Sequence, residues 1–155
     1  MTIQAFTINT AKGYAGDLVD SGPRVVQTGI LTSAEAGFGV AMKRDAATVE
    51  RGVALGSVGG NVFAISQREY NHEAGTRPST GNDTKYYKTE SVSLIRQGYL
   101  YVNVVDIAAV AGTALAVNPD GTWEGTAAGS GVATTNVVAE ESGLGLIKAR
   151  IDIIA

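Results

Sequence analysis

The sequence predicts an all-β protein, a jelly-roll-like sandwich or barrel with short strands and long loops. Apolar and polar residues alternate over short stretches, which is the period of a half-buried strand. Turn-forming residues separate these stretches every ~8–15 residues, as in sandwiches and barrels. The 155 residues include 20 glycines, and no stretch has the apolar spacing of a long amphipathic helix. We expect residues 1–155 to form a single β domain.

The N-terminal residues 2–8 (Thr-Ile-Gln-Ala-Phe-Thr-Ile) are predicted to form a strand. Phe6 and Ile8 share one strand face, whereas Ile3 lies on the other. A terminal strand with apolar groups on both faces fits between two surfaces, so residues 1–12 are a candidate arm that binds a neighbouring subunit. The alternative, that this strand pairs within its own domain, stays open.

Four strands are predicted next: one after Pro23 at 24–29, and others at 38–43, 48–55 and 61–67. The segment 69–89 differs from these because it is long and polar, and such a loop is usually functional or disordered. It mixes charges of both signs with aromatic residues, which suits contact with another subunit. Its candidate contact residues are Tyr70, His72, Arg77, Tyr86 and Tyr87.

The clearest pattern lies at residues 86–105. Val92 and Leu94 alternate with polar residues, and the alternation resumes after Gln97-Gly98. Two alternating stretches around a glycine predict a β-hairpin that turns at this pair. Tyr99 and Tyr101 share one face of the second stretch. They either pack on the core or form an exposed aromatic ledge for a partner protein.

The C-terminal third contains a turn and a final strand. In Asn118-Pro119-Asp120-Gly121, proline presets φ and glycine accepts a left-handed conformation. This turn should pair 113–117 with 122–124. Residues 125–136 are rich in small residues, and residues 147–153 alternate between isoleucine or alanine and charged side chains, which predicts a strand with one apolar face.

No group of residues predicts an enzyme, a metal site or a cofactor site. The chain has no cysteine and one histidine, His72, so thiol chemistry and a multi-histidine metal site are excluded. The acidic pairs Glu140-Glu141 and Asp17/Asp20 lack the spacing of a calcium loop. We therefore predict no catalytic, cofactor-binding or metal-binding residues.

Charge and hydropathy limit the classes of partner that we expect. Residues 97–155 have a net charge of −4, and no run of basic residues occurs, so nucleic acid is not an expected partner. No uncharged apolar run approaches the ~20 residues of a membrane span. The N-terminus has no basic region followed by a long apolar region, so no signal peptide is predicted.

Six stretches run in order along most of the chain and together carry a family resemblance: 38–42, 62–69, 87–102, 111–117, 121–122 and 143–150. In their order and spacing they resemble the structural cement, or capsid decoration, proteins of tailed bacteriophages. Val40 and Thr113 depart from the pattern, because the family often has a basic residue and an acidic residue at these two positions.

The resemblance implies a non-enzymatic β protein on the outer surface of an icosahedral phage head. Such a protein bridges major capsid subunits and stabilises the shell, after synthesis in the host cytoplasm. The implied partners are the major capsid protein and further copies of the same chain, with a dimer favoured over a trimer. No cofactor is implied.

Two other functions remain compatible with a small β scaffold. One is a glycan-binding jelly-roll module, such as a virion adhesin or lectin, which would bind sugars alone. The other is a small hydrolase, although no catalytic constellation is visible in the sequence.

Overall fold

The computed structural model of the chain describes residues 13–19, 23–45, 47, 50–69, 85–126 and 131–152, and the regular structure in these ranges is β throughout. The predicted all-β class and its barrel-like or sandwich-like architecture are confirmed. The strands are β1 Val25–Leu31, β2 Glu35–Gly37, β3 Ala41–Arg44, β4 Gly52–Leu55, β5 Ala64–Ser66, β6 Lys85–Tyr87, β7 Ser91–Ala109, β8 Ala114–Val117, β9 Trp123–Glu124, β10 Val132–Ala139 and β11 Gly143–Ile151.

Strand β7 runs without interruption for 19 residues, so the predicted hairpin at Gln97-Gly98 is wrong. Gly98 has φ +136° and lies inside the strand, opposite Ile151 of β11. A conformation of this kind favours glycine because a side chain would be strained there. Glycine here marks an irregular position within one strand, which sequence alone does not distinguish from a turn.

The strands close into two barrels that share β7. The first barrel contains β1, β4, β3, β5 and β7, and the β1–β7 pairing closes it; the second contains β7, β11, β10, β8 and β9, and the β7–β9 pairing closes it. Most pairings are antiparallel, but β1–β4 and β7–β9 are parallel. Closing a sheet on itself pairs most strand edges. Strands β2 and β6 form a separate two-stranded sheet.

Each barrel has its own hydrophobic core. Leu31, Met42, Val53, Ala64 and Leu94, one from each strand of the first barrel, belong to one buried cluster. The second cluster draws on all five strands of the second barrel and includes the buried Trp123. One face of β7 therefore changes core at Gly98: Val92 and Leu94 belong to the first core, whereas Leu100 and Val102 on the same set of alternate positions belong to the second.

Three neighbouring strands of the first barrel are buried on both faces. Strands β3, β5 and β7 each give consecutive residues to different clusters, because adjacent side chains in a strand point to opposite faces. Leu94 packs in the first core, whereas Ile95 packs in the second. This wall is shared by the two cores and holds the barrels against each other. The corresponding pairs are Ala41 with Met42, Ala64 with Ile65, and Leu94 with Ile95.

The predicted turn and the predicted final strand are both confirmed. Strands β8 and β9 pair across residues 118–121, and Gly121 has φ +84°. The Asp120 side chain accepts hydrogen bonds from the hydroxyl and the backbone N–H of Thr122, which lower the pKa of Asp120. In β11, Ile147, Ala149 and Ile151 are buried.

Several predicted elements lie wholly or partly outside the described residues. These include the strand at 2–8, the arm at 1–12 and most of the loop at 69–89, of which residues 85–87 form β6. None of the described segments forms a helix long and apolar enough to cross a membrane.

Candidate protein-interaction surfaces

The structure describes four of the ten predicted contact residues. Tyr86, Tyr87, Tyr99 and Tyr101 have defined positions, and only Tyr86 among them is fully buried. The other six lie outside the described residues: Ile3, Phe6, Ile8, Tyr70, His72 and Arg77.

Tyr86 is a core residue of the first barrel and is not available to a partner on the surface. Its side chain is 0% exposed, and its hydroxyl donates a hydrogen bond of 2.6 Å to the carbonyl of Gln67. Its ring meets Phe38 edge to face, with 5.3 Å between ring centroids. A tyrosine in a polar segment suggests exposure, but here the pairing of β6 with β2 directs it inward.

Tyr87 lies beside Tyr86 and is half-buried. Its backbone N–H donates to a carboxylate oxygen of Glu90 at 2.8 Å. It faces the opposite side of β6 from Tyr86, since side chains alternate along a strand. Of the two tyrosines, only Tyr87 keeps part of its surface exposed.

Tyr99 and Tyr101 lie on the outer face of the second barrel next to basic side chains of β11. The register places Tyr99 opposite Arg150 and Tyr101 opposite Lys148. The Lys148 ammonium lies 4.9 Å from the centre of the Tyr99 ring, within the range of a cation–π contact. The two tyrosines are half-buried, so they form a partly covered aromatic and cationic surface.

Arg150 lies on the same surface and contacts two carboxylates. Its guanidinium lies 3.1 Å from a carboxylate oxygen of Asp152 and 3.7 Å from one of Glu140. A hydrogen bond with Tyr99, followed by the charge of Asp152, raises the pKa of Arg150. The alternation of residues 147–153 predicted a charged face here, but the pairing with Tyr99 depends on the register of β7 and β11.

A second surface group, near Tyr101, was not predicted. Residues 16–19 cover the edge of β7 there: the Tyr101 carbonyl accepts the Gly16 N–H at 2.8 Å. Just before this segment, Tyr14 is 65% exposed, and the Arg68 guanidinium lies 3.8 Å from the centre of its ring. Asp17 accepts a hydrogen bond from Arg68 at 3.3 Å. No local pattern marks this group, because Arg68 is about fifty residues away along the chain.

A cationic groove is the third surface, and it was also missed. It measures about 430 Å³, and Arg44, Arg51 and Arg96 line it together with Phe63. The guanidinium carbons of Arg96 and Arg44 lie 4.3 Å and 5.3 Å from the centre of the Phe63 ring. The sequence contains no run of basic residues here, so only the strand pairings bring these side chains together.

An exposed apolar tip lies at one end of the second barrel. Val110 follows β7 and is 55% exposed, and Leu144 at the start of β11 is 58% exposed. Their loops are joined by a hydrogen bond of 2.9 Å from the Ala111 N–H to the Ser142 hydroxyl.

No group of three or more His, Asp or Glu side chains in the described ranges could hold a metal ion.

Comparison with known proteins agrees with this architecture. A solved structure titled "The capsid of Myoviridae Phage XM1" contains a chain that superposes with a TM-score of 0.70 and 15% sequence identity, over 97% of this chain and 97% of that chain. At that identity, the likeness shows a shared fold. A search of curated protein sequences finds no match.

The sequence profile of one family matches nearly the whole chain. That family is described as "Structural cement protein (E217 gp24/Pam3 gp6)", and the match covers residues 2–152. It spans both barrels, the shared strand β7 and the N-terminal residues that precede them. The chain belongs to the phage structural cement protein family.

Proposed function

We propose that this protein is a non-enzymatic cement that binds the outer surface of an icosahedral phage head and bridges major capsid subunits. The family match over residues 2–152 carries this proposal. A cement stabilises a shell by holding neighbours together, so it needs a stiff body and more than one contact surface. The wall shared by the two cores joins both barrels into one body, which suits this role.

The contact surfaces of this cement are spread over the molecule. The arm at 1–12 and the loop at 69–89 are the segments we propose to reach neighbouring subunits, and Tyr87 is the accessible tyrosine at the end of that loop. Tyr99 and Tyr101 add an aromatic surface on the second barrel. Aromatic residues are enriched at the centres of interfaces because they bury a large area at low entropy cost.

We further propose that the protein acts as a homo-oligomer, as a dimer in preference to a trimer. Symmetric association repeats a weak contact around a closed axis and so strengthens attachment to a symmetric shell. Cross-linking of the purified protein, followed by mass measurement, gives the state in solution. Shells in which no bound copy touches another copy would contradict this part of the proposal.

Co-sedimentation with expanded phage shells that lack the protein tests the function directly. The native chain should pellet with the shells and saturate at a fixed ratio to the major capsid protein. Cemented shells should also survive a higher temperature than bare shells. Tyr87→Ala should weaken binding, whereas Thr135→Ala, at an exposed position of β10, serves as a control. A folded protein that does not bind shells but binds glycans in a panel would favour the glycan-binding alternative.

A further inference from the structure

One edge of β1 has a strand partner over only part of its length. The Ile30 N–H donates to the Arg51 carbonyl at 3.0 Å, and only Ile30 and Leu31 pair with β4. Backbone groups two residues apart in a strand point to the same edge. Thr28 and Val26 therefore direct their N–H and C=O groups past the end of β4, where no described strand pairs with them. Both residues are exposed.

The cationic groove lies along this same stretch of β1. Thr28 of β1 lines it together with Arg44, Arg51 and Arg96. Within the described residues, none of these three arginines forms an ion pair. Lys43 and Arg44 also line a smaller neighbouring groove that shares Phe63 and Arg96. The site thus combines unpaired strand edge with unpaired positive charge.

We propose that this groove is a docking site for an extended acidic segment of a partner protein. The segment would add to β1 as a strand and bond with the backbone groups of Val26 and Thr28. Its alternate side chains would point to the same side, towards Arg44, Arg51 and Arg96. Guanidinium groups suit carboxylates because two parallel N–H donors match two oxygens.

Charge favours a short protein segment over nucleic acid. The whole chain has a net charge of −3, and residues 97–155 carry −4, so a long polyanion would be repelled beyond the groove. A second copy's residues 1–12 contain no acidic residue and carry Lys12, so they do not complement the groove. That the acidic segment comes from a shell protein rests on the proposed function; the docking chemistry does not.

Peptide titration tests the docking chemistry without shells. The probe is a capped octapeptide of alternating glutamate and threonine, and its control replaces every glutamate with glutamine. Each charge-assisted contact contributes about tenfold in affinity, so the double variant Arg44→Gln/Arg51→Gln should weaken binding of the acidic peptide about a hundredfold. The charge-matched double variant Lys88→Gln/Lys148→Gln, away from the groove, should bind the acidic peptide with the affinity of the native protein. Thermal unfolding of both variants verifies that they are folded.

Amide hydrogen exchange locates the bound strand. With the acidic peptide present, exchange at Val26 and Thr28 should slow relative to the free protein. Equal binding of both peptides, binding without protection of these amides, or tighter binding of an oligothymidine of the same length would each overturn the proposal. If the native protein binds the peptide but not shells, the groove stands and the capsid function fails; if it binds shells but not the peptide, the reverse holds.

Discussion

Asn136 forms with Val62 the pair of hydrogen bonds that a neighbouring strand would form. Its amide oxygen accepts the Val62 N–H at 3.1 Å, and its amide nitrogen donates to the Val62 carbonyl at 2.7 Å. The same nitrogen lies 3.1 Å from the Asp152 carbonyl, to which it also donates. One buried side chain on β10 thereby joins the segment before β5 to the end of β11.

Replacing Asn136 with alanine should destabilise the protein strongly. The change leaves both backbone groups of the buried Val62 without a partner, at about 1–3 kcal/mol for each group. For a chain of this length, we expect the melting temperature to fall by roughly 10 °C. Calorimetry of Asn136→Ala beside Asn103→Ala, an exposed asparagine, isolates the effect. Equal melting temperatures would show that the paired hydrogen bonds contribute little.

Tyr86 should matter for stability and not for surface contact. Tyr86→Ala should cost about 3–5 kcal/mol, because it empties a fully buried aromatic site. Tyr86→Phe should cost only ~1 kcal/mol, for the lost hydrogen bond to Gln67. Urea unfolding of both variants measures this, with Tyr87→Ala as the half-buried neighbour that should change stability by less than ~1 kcal/mol. An alanine variant as stable as the native chain would contradict the core assignment.

Gly98 should resist substitution although it lies within a strand. Its φ of +136° strains any other residue, and an added Cβ would approach the Cβ of Arg24 to 3.3 Å. Gly98→Ala should therefore cost roughly 1–3 kcal/mol. Gly37→Ala is the control, since φ there is not positive and the nearest atom, on Val40, is 3.8 Å away. Chemical denaturation compares the two, and a similar small cost at both sites would argue against strain at Gly98.

Removing residues 1–12 should abolish or greatly weaken attachment to shells. The physical reason is that an added strand gains backbone hydrogen bonds, together with ~1.5–3 kcal/mol for each large apolar side chain that it buries. Co-sedimentation of the truncated protein, with circular dichroism as the folding control, separates the possibilities. Loss of folding would place the segment in the domain's own sheet, and normal folding with normal binding would rule out the arm.

Local patterns predicted the parts of the fold that local chemistry controls. The turn at 118–121 and the alternation of Ile147, Ala149 and Ile151 both depend on neighbouring residues, and both are confirmed. The hairpin predicted at Gly98 was wrong because glycine occurs both in turns and at irregular strand positions. Which of the two forms depends on strand partners such as β11. The sequence did not predict the shared wall either, because the consecutive apolar residues Leu94 and Ile95 look like a single break in the alternation.

The surfaces were harder to predict because distant residues build them. Arg44 and Arg96 are about fifty residues apart, yet they stack on the same Phe63 ring. Pairing of β3 with β5, and of β5 with β7, brings them together. The prediction that Tyr86 contacts a partner was wrong for the same reason. The acceptor of its hydroxyl, on Gln67, belongs to another segment of the chain.

The shared strand β7 has a mechanical consequence. Because one covalent backbone passes through both barrels, tension applied to one is transmitted to the other without crossing a noncovalent joint. A pull along β7 loads its ladder hydrogen bonds to β1, β5 and β11 in shear, so many bonds must yield at once and none can be peeled singly. Stretched between two anchors, the molecule should behave as a single stiff link that ruptures in one event.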